Sequence, residues 1–183
     1  IYIFKILHSK LKKHNSLYAG PQKIHTGNIS RLGGLSIFLT LFLISMLNSY
    51  SNNYIFLKLF VVSIPVFVVG FFEDIYQSIS PTTRLFGSLL SAIIFILIFQ
   101  ISIKSVAIYS VDLILNYKIF SIIFTLMCII FLIQAFNIID GLNGQSLTTA
   151  ILSFLAITII AYDAGDEKTS SLSIYFIFIF LGV

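Results

Sequence analysis

Five uninterrupted apolar runs, each long enough to cross a bilayer, limit this chain more than any other feature. They fall at about Gly33–Ser49, Tyr54–Phe72, Leu85–Ile101, Ile119–Ile139 and Leu147–Tyr162, and a helix needs roughly 20 apolar residues to traverse hydrocarbon. A transmembrane barrel would instead show segments of about ten residues alternating polar and apolar, whereas these runs are apolar on every face. Composition agrees: 10% of the 183 residues are charged and 58% hydrophobic, with a mean hydropathy of +1.03. A soluble domain carries charge on about a quarter of its residues and cannot hide so much apolar surface. The single Cys128 excludes a disulfide scaffold. The expected fold is therefore all-α, a polytopic membrane helical bundle with about five complete transmembrane helices.

Both chain ends read as parts of further helices. Ile1–Leu7 is apolar and precedes a basic cluster, the reverse of a signal peptide. Ile174–Val183 is purely apolar but about half the length of a crossing. Truncated helices at both ends are expected, and with no internal repeat and no Gly/Ser/Pro-rich linker, residues 1–183 read as one membrane-embedded domain incomplete at both termini. Pro65 inside the second run is expected to kink it, and Ser80-Pro81 has the form of an N-cap followed by proline at the first helical position. Ser105–Lys118 is too polar to cross and reads as a small hairpin or re-entrant piece.

Charge sets the orientation. The net charge is +4, yet Lys10, Lys12, Lys13, Lys23 and Arg31 fall within residues 8–31 without a single acid. That segregation fits a cytoplasmic loop under the positive-inside rule better than a nucleic-acid surface. Counting crossings from there sends 50–53, 102–118 and 163–171 outside and brings 73–84 and 140–146 back inside. Asp112, Asp163, Asp166 and Glu167 then lie outside, as solvated surface.

Three groups of polar residues gather on the inner side. Glu73-Asp74 follows the apolar run Phe67–Phe72; adjacent carboxylates repel unless a cation or proton intervenes, and Mg²⁺ is commonly held by one or two carboxylates plus substrate phosphates. A solvated helix terminus paired with Arg84 accounts for the same residues. Asn137, Asp140 and Asn143 recur every third residue, so on a helix they span about a third of a turn. With Gly141 and Gly144 beside them, they suit a sugar, ribose or base edge, or form an ordinary helix-ending turn. Lys23 and Arg31, the last leading into Leu32-Gly33-Gly34, suit phosphate, and His25 beside them is a candidate for the same site or a solvated loop histidine. A reaction between a lipid-borne phosphate and a water-soluble nucleotide needs such a set on one membrane face.

Taken in order, Lys23-Ile24-His25 with Arg31-Leu32-Gly33-Gly34, Gly70-Phe71-Phe72-Glu73-Asp74 with Ser80-Pro81 and Arg84, and Phe136-Asn137-Ile138-Ile139-Asp140-Gly141-Leu142-Asn143-Gly144 resemble the polyprenyl-phosphate N-acetylhexosamine-1-phosphate transferases of glycosyltransferase family 4. The resemblance covers about Pro21 to Ala150. It implies Mg²⁺-dependent transfer, with Mn²⁺ as an alternative, of an N-acetylhexosamine-1-phosphate from a UDP-sugar to undecaprenyl phosphate, releasing UMP and initiating a cell-envelope polysaccharide. It further implies a multi-pass protein of the bacterial inner (plasma) membrane, with its active site on the cytoplasmic face and often dimeric. Glu73 and Asp74 occupy the motif linked to the metal and to activation of the lipid phosphate, Asp140 with Asn137 and Asn143 the motif assigned to the nucleotide and catalysis, and Lys23, His25 and Arg31 substrate-binding positions. The Arg-Leu-Gly-Gly form looks more like the N-acetylglucosamine-1-phosphate branch than the peptidoglycan branch.

The chain departs from the family at Glu73, where Asp is commoner, and at Gly27, where many relatives carry Lys. It also stops before the family's Gly-Asp-x-Gly-Ser and His-rich loops, so these residues alone are not expected to be active. Two other classes compete. An ion or proton transporter would place ionisable residues near mid-bilayer; a non-catalytic assembly subunit would tolerate loss of Asp74 and Asp140.

Overall fold

The computed structural model describes residues 33–50, 54–76, 80–139 and 145–182. Every regular element among them is a helix: α1 (Gly33–Tyr50), α2 (Ile55–Tyr76), α3 (Pro81–Phe99), the short α4 (Tyr109–Leu115), α5 (Lys118–Ile139), α6 (Gln145–Asp163) and α7 (Glu167–Leu181). The five expected spans correspond to α1, α2, α3, α5 and α6. Four of these contain apolar stretches of 19 to 22 residues, and α1 a shorter one over Gly34–Leu47. Only 6–22% of the residues in the four longer stretches are buried inside the protein. The rest need an apolar surrounding, which lipid supplies and water does not.

The long helices pack as a ring of neighbours: α1 on α2, α2 on α3, α3 on α5, α5 on α6, α6 on α7, and α7 back on α1, with α4 set against α5. Aromatic rings fill several seams. Phe38 of α1 stacks on Phe67 of α2 at 3.7 Å between centroids, and Phe154 of α6 stacks on Phe176 of α7 at 5.0 Å. The α2–α3 seam instead closes on the absence of a side chain. A Cβ on Gly87 would sit 2.8 Å from Val69 Cγ2 and 3.5 Å from the Pro65 carbonyl oxygen. Pro65 lies within α2, which continues through it.

Local capping chemistry sets the helix ends. Ser80 caps α3 as its sequence suggests, accepting from the Thr83 amide at 3.3 Å with Pro81 in the first turn. At its other end Gln100 takes the left-handed conformation (φ 55°) and donates its amide to Ile96 O.

Two expectations are corrected. Ser105–Lys118 is no hairpin: an extended stretch is followed by α4, which Asp112 stabilises by accepting from Ser105 Oγ at 2.7 Å and Val106 N at 2.8 Å. Those bonds, the Val106 amide first, hold the Asp112 carboxyl below the usual carboxylate range. The connection expected over 163–171 contracts to residues 164–166, since Ile174–Leu181 is the second half of a helix that begins at Glu167. Gly165 at φ 73° ends α6 in a Schellman turn, its amide on Tyr162 O and the Asp166 amide on Ala161 O. Asp166, read as solvated surface, is then the N-cap of α7: it accepts from Thr169 Oγ1 at 2.6 Å and from Thr169 N at 3.1 Å.

Two outcomes follow from these contacts. Gly87→Val should destabilise the protein in detergent by about 1–3 kcal/mol, the usual cost of overpacking, and adding Val69→Ala should recover part of the loss; unfolding in increasing SDS measures both. The Thr169 hydroxyl, followed by its amide, lowers the Asp166 pKa below 3.8. A lowered carboxylate pKa contributes stability that is present above the unfolded value and lost as pH falls through the folded one. Asp166→Ala should therefore lower the melting temperature at pH 7, with the gap to the parent shrinking below pH 3.8.

Candidate active site

The C-terminal turn of α2 and the first turn of α3 meet at one end of the bundle. There Glu73 Oε1 lies 2.9 Å from Arg84 Nη2, with the two side chains 27% and 33% exposed. Each charge sits at the unfavourable end of its own helix, an acid near a C-terminus and a base near an N-terminus, and the pair offsets both penalties. Arg84 Nε is buried with no partner among the described residues, so the guanidinium keeps donor capacity beyond Glu73.

α5 comes to the same end by packing antiparallel to α3. Gln134 Nε2 donates to Ser88 Oγ at 3.1 Å, while nearer the opposite end Ile103 N donates to Thr125 Oγ1 at 2.8 Å. Moving one turn along α5 from Gln134 and one turn back along α3 from Ser88 brings Asn137 level with Arg84. Asn137 is exposed, and α5 stops two residues later at Ile139. α1 arrives by a similar register. The Phe38–Phe67 stack at 3.7 Å and the Phe42–Phe60 contact at 5.2 Å make α1 antiparallel to α2 and set Gly33 level with the last turns of α2. The helix ends adjoining all three polar motifs thus share one end of the bundle.

The expected site residues divide accordingly. Glu73 and Asn137 are described in full, and Asp74 lies in the last turn of α2 with its side chain outside the described set. Lys23, His25, Arg31, Asp140 and Asn143 lie outside the described residues. Among the described residues no group of three or more His, Cys, Asp or Glu side chains could hold a metal ion, and the carboxylate described at this end, Glu73, is engaged by Arg84. The pairing matches the alternative in which Arg84 satisfies a helix-terminal acid.

Gln134 was not singled out from the sequence. The signal was available: it is an amide within an otherwise apolar run, where polar groups are costly unless bonded. Ser88, 1% exposed, gives it a partner, and Ser88 Oγ itself donates to Leu85 O at 2.8 Å. Ionisable groups keep to the helix ends. Lys58 is the fourth residue of α2, Arg84 the fourth of α3, and Glu73 the fourth from the end of α2. Among the described membrane-spanning helices no Asp, Glu, Lys or Arg occupies the middle.

Comparisons with known proteins converge with this geometry. The sequence profile of glycosyl transferase family 4 matches residues 56–183. The phospho-N-acetylmuramoyl-pentapeptide-transferases of Streptococcus pneumoniae strains CGSP14 and Hungary19A-6 are each 25% identical to the chain over 171 residues, covering 87% of it and 49% of their own length. The chain spans about half the length of the curated relatives it matches. No solved structure matches it significantly. With the profile covering more than half of its residues, the chain belongs to glycosyl transferase family 4.

Proposed function

We propose that the full-length protein transfers an N-acetylhexosamine-1-phosphate from a UDP-sugar to undecaprenyl phosphate at the cytoplasmic face of a bacterial inner membrane. An oxygen of the lipid phosphate attacks the sugar-bearing phosphorus of the UDP-sugar. The bond from that phosphorus to the bridging oxygen breaks, and UMP leaves with the electron pair. The nucleophile is already an anion, so the protein's task is chiefly to align two phosphates and offset their repulsion. The observation that carries this reading is the convergence of three motif-bearing helix ends at the Glu73–Arg84 end of the bundle, where α2, α3 and α5 are held by the 2.9 Å ion pair and the 3.1 Å Gln134–Ser88 bond.

Asp74 and Glu73 would hold a Mg²⁺ or Mn²⁺ ion, since carboxylates suit a hard cation that is commonly shared with substrate phosphates. The ion, when bound, neutralises charge on the phosphate oxygens. Arg84, whose Nε has no partner among the described residues, would offer its remaining donors to a phosphate oxygen. Asn137, Asp140 and Asn143 bind the nucleotide, with Asp140 also serving catalysis, and Lys23, His25 and Arg31 bind phosphate. The Arg31-Leu32-Gly33-Gly34 form favours N-acetylglucosamine-1-phosphate over the substrate in the pneumococcal relatives' name.

Assays of UMP release from membranes containing the full-length protein test the proposal. Release should require undecaprenyl phosphate, stop with EDTA and return with Mg²⁺. UDP-N-acetylglucosamine should outperform UDP-N-acetylmuramoyl-pentapeptide, and the reverse order would move the protein to the other branch. Asp74→Asn and Asp140→Asn should each reduce turnover by about 100-fold or more, the scale of losing one charge-stabilising group; activity retained in both would instead support a non-catalytic assembly subunit. Because the Glu73–Arg84 pair is partly exposed, a double-mutant cycle with Glu73→Gln and Arg84→Gln should give a stability coupling of about 0–1 kcal/mol, leaving folded variants whose lost activity reports on the reaction.

A further inference from the structure

The connection between α3 and α5 lies at the end of the bundle opposite Glu73, and side chains of α5 bond part of its backbone. Ile103 donates its amide to Thr125 Oγ1 at 2.8 Å and accepts from Ser121 Oγ at 2.6 Å, while Ser121 Oγ also lies 2.8 Å from Ser102 Oγ. Ser121 and Thr125 are 1% and 4% exposed and sit one to two turns inside α5 from Lys118. The extended stretch therefore starts within the depth of the span, where irregular backbone persists only if protein groups satisfy it. From there the chain turns at Ala107 (φ 62°) and enters α4.

The outward side of that helix is apolar. Leu115 is 3% exposed and faces inward, but Ile108, Tyr109, Leu113, Ile114 and Tyr117 are 50–81% exposed. Tyr109, Leu113 and Ile114 fall on one arc of about 140° at 100° per residue, with Ser110 among them and Asp112 to one side, and the exposed Tyr117 follows two residues beyond the end of the helix. The arc continues onto Ile119, Phe120 and Ile123 of α5, which are 51–71% exposed on a helix that spans the membrane. Two tyrosines with a polar tip and an apolar body, flanked by exposed Lys104 and Lys118, have the composition of a bilayer interface.

We propose that Ile108–Tyr117 is a membrane-interface anchor, with its apolar arc in the boundary between phospholipid headgroups and acyl chains of the leaflet opposite Glu73. Lipid is the occupant because the arc is continuous with the lipid-facing side of α5. Ser110, at headgroup depth, still reaches water, and the two lysines lie beside lipid phosphates.

The chain contains no tryptophan, so one introduced indole reports on one position. Tyr109→Trp, Leu113→Trp and, as a control in the α6–α7 turn, Ala164→Trp would be made in the full-length protein, with any tryptophan outside residues 1–183 changed to phenylalanine, and reconstituted into phosphatidylcholine vesicles. Lipids brominated near the headgroup end of the acyl chain should quench positions 109 and 113 about twofold more than position 164, as shallow insertion implies, and acrylamide should rank them in the opposite order. Acrylamide quenching of 109 and 113 as strong as that of 164 would put the segment in water and overturn the proposal. Protection from both quenchers would also overturn it, by showing that protein, such as a second copy of the chain, covers the arc.

Discussion

Hydrocarbon offers a backbone amide no hydrogen-bond partner, and the architecture of this chain follows from that. Each spanning segment closes its own backbone bonds as a helix. Several hydroxyls inside the spans turn back onto their own helix, as Ser45 does to Phe42 O at 2.7 Å and Thr158 to Phe154 O at 2.8 Å. The extended Ser102–Ile103 stretch is tolerated because Ser121 and Thr125 of α5 replace the water it would otherwise need. The same penalty keeps Lys58, Glu73 and Arg84 within about a turn of the ends of their helices, so polar chemistry has two places to collect.

Antiparallel packing then decides which helix ends meet. The Phe38–Phe67 stack, the close approach at Gly87 and the Gln134–Ser88 bond fix the registers of α1 on α2, α2 on α3 and α3 on α5. None of these contacts is chemical in purpose, yet together they bring three motif-bearing helix ends to one side. A ring of helices with polar termini gathered at one end suits a reaction at a membrane surface, where one substrate arrives through lipid and the other through water. The opposite end is built differently, from a Schellman turn at Gly165 and the apolar arc of α4.

Much of this was legible in the sequence because apolar run length and cap chemistry are local signals. The five spans and the Ser80-Pro81 start of α3 follow from composition over short windows. The start of α7 did not, because residues 167–173 are polar by composition and only the Asp166–Thr169 cap shows that the helix reaches back to them. The polar stretch Ser105–Lys118 reads equally as a hairpin or a re-entrant piece, and the helix within it is not evident from composition; Asp112, by accepting from Val106 N and Ser105 Oγ, closes the turn that feeds it. At the described part of the site, the sequence named Glu73 and Asn137, and Arg84 both as part of the second motif and as the partner of a helix-terminal acid. Gln134 escaped notice because its significance is a long-range register, 46 positions from Ser88.

One shared pocket requires that Asp74 and Asp140 open on the same membrane face. With Cys128 replaced by serine in the full-length protein, single cysteines at 74 and 140 can be probed with a membrane-impermeant maleimide in sealed inside-out and right-side-out vesicles. Both positions should label in one vesicle orientation and resist in the other. Labelling of 74 and 140 from opposite sides would mean that no single pocket contains them, and the proposed transferase site would not exist.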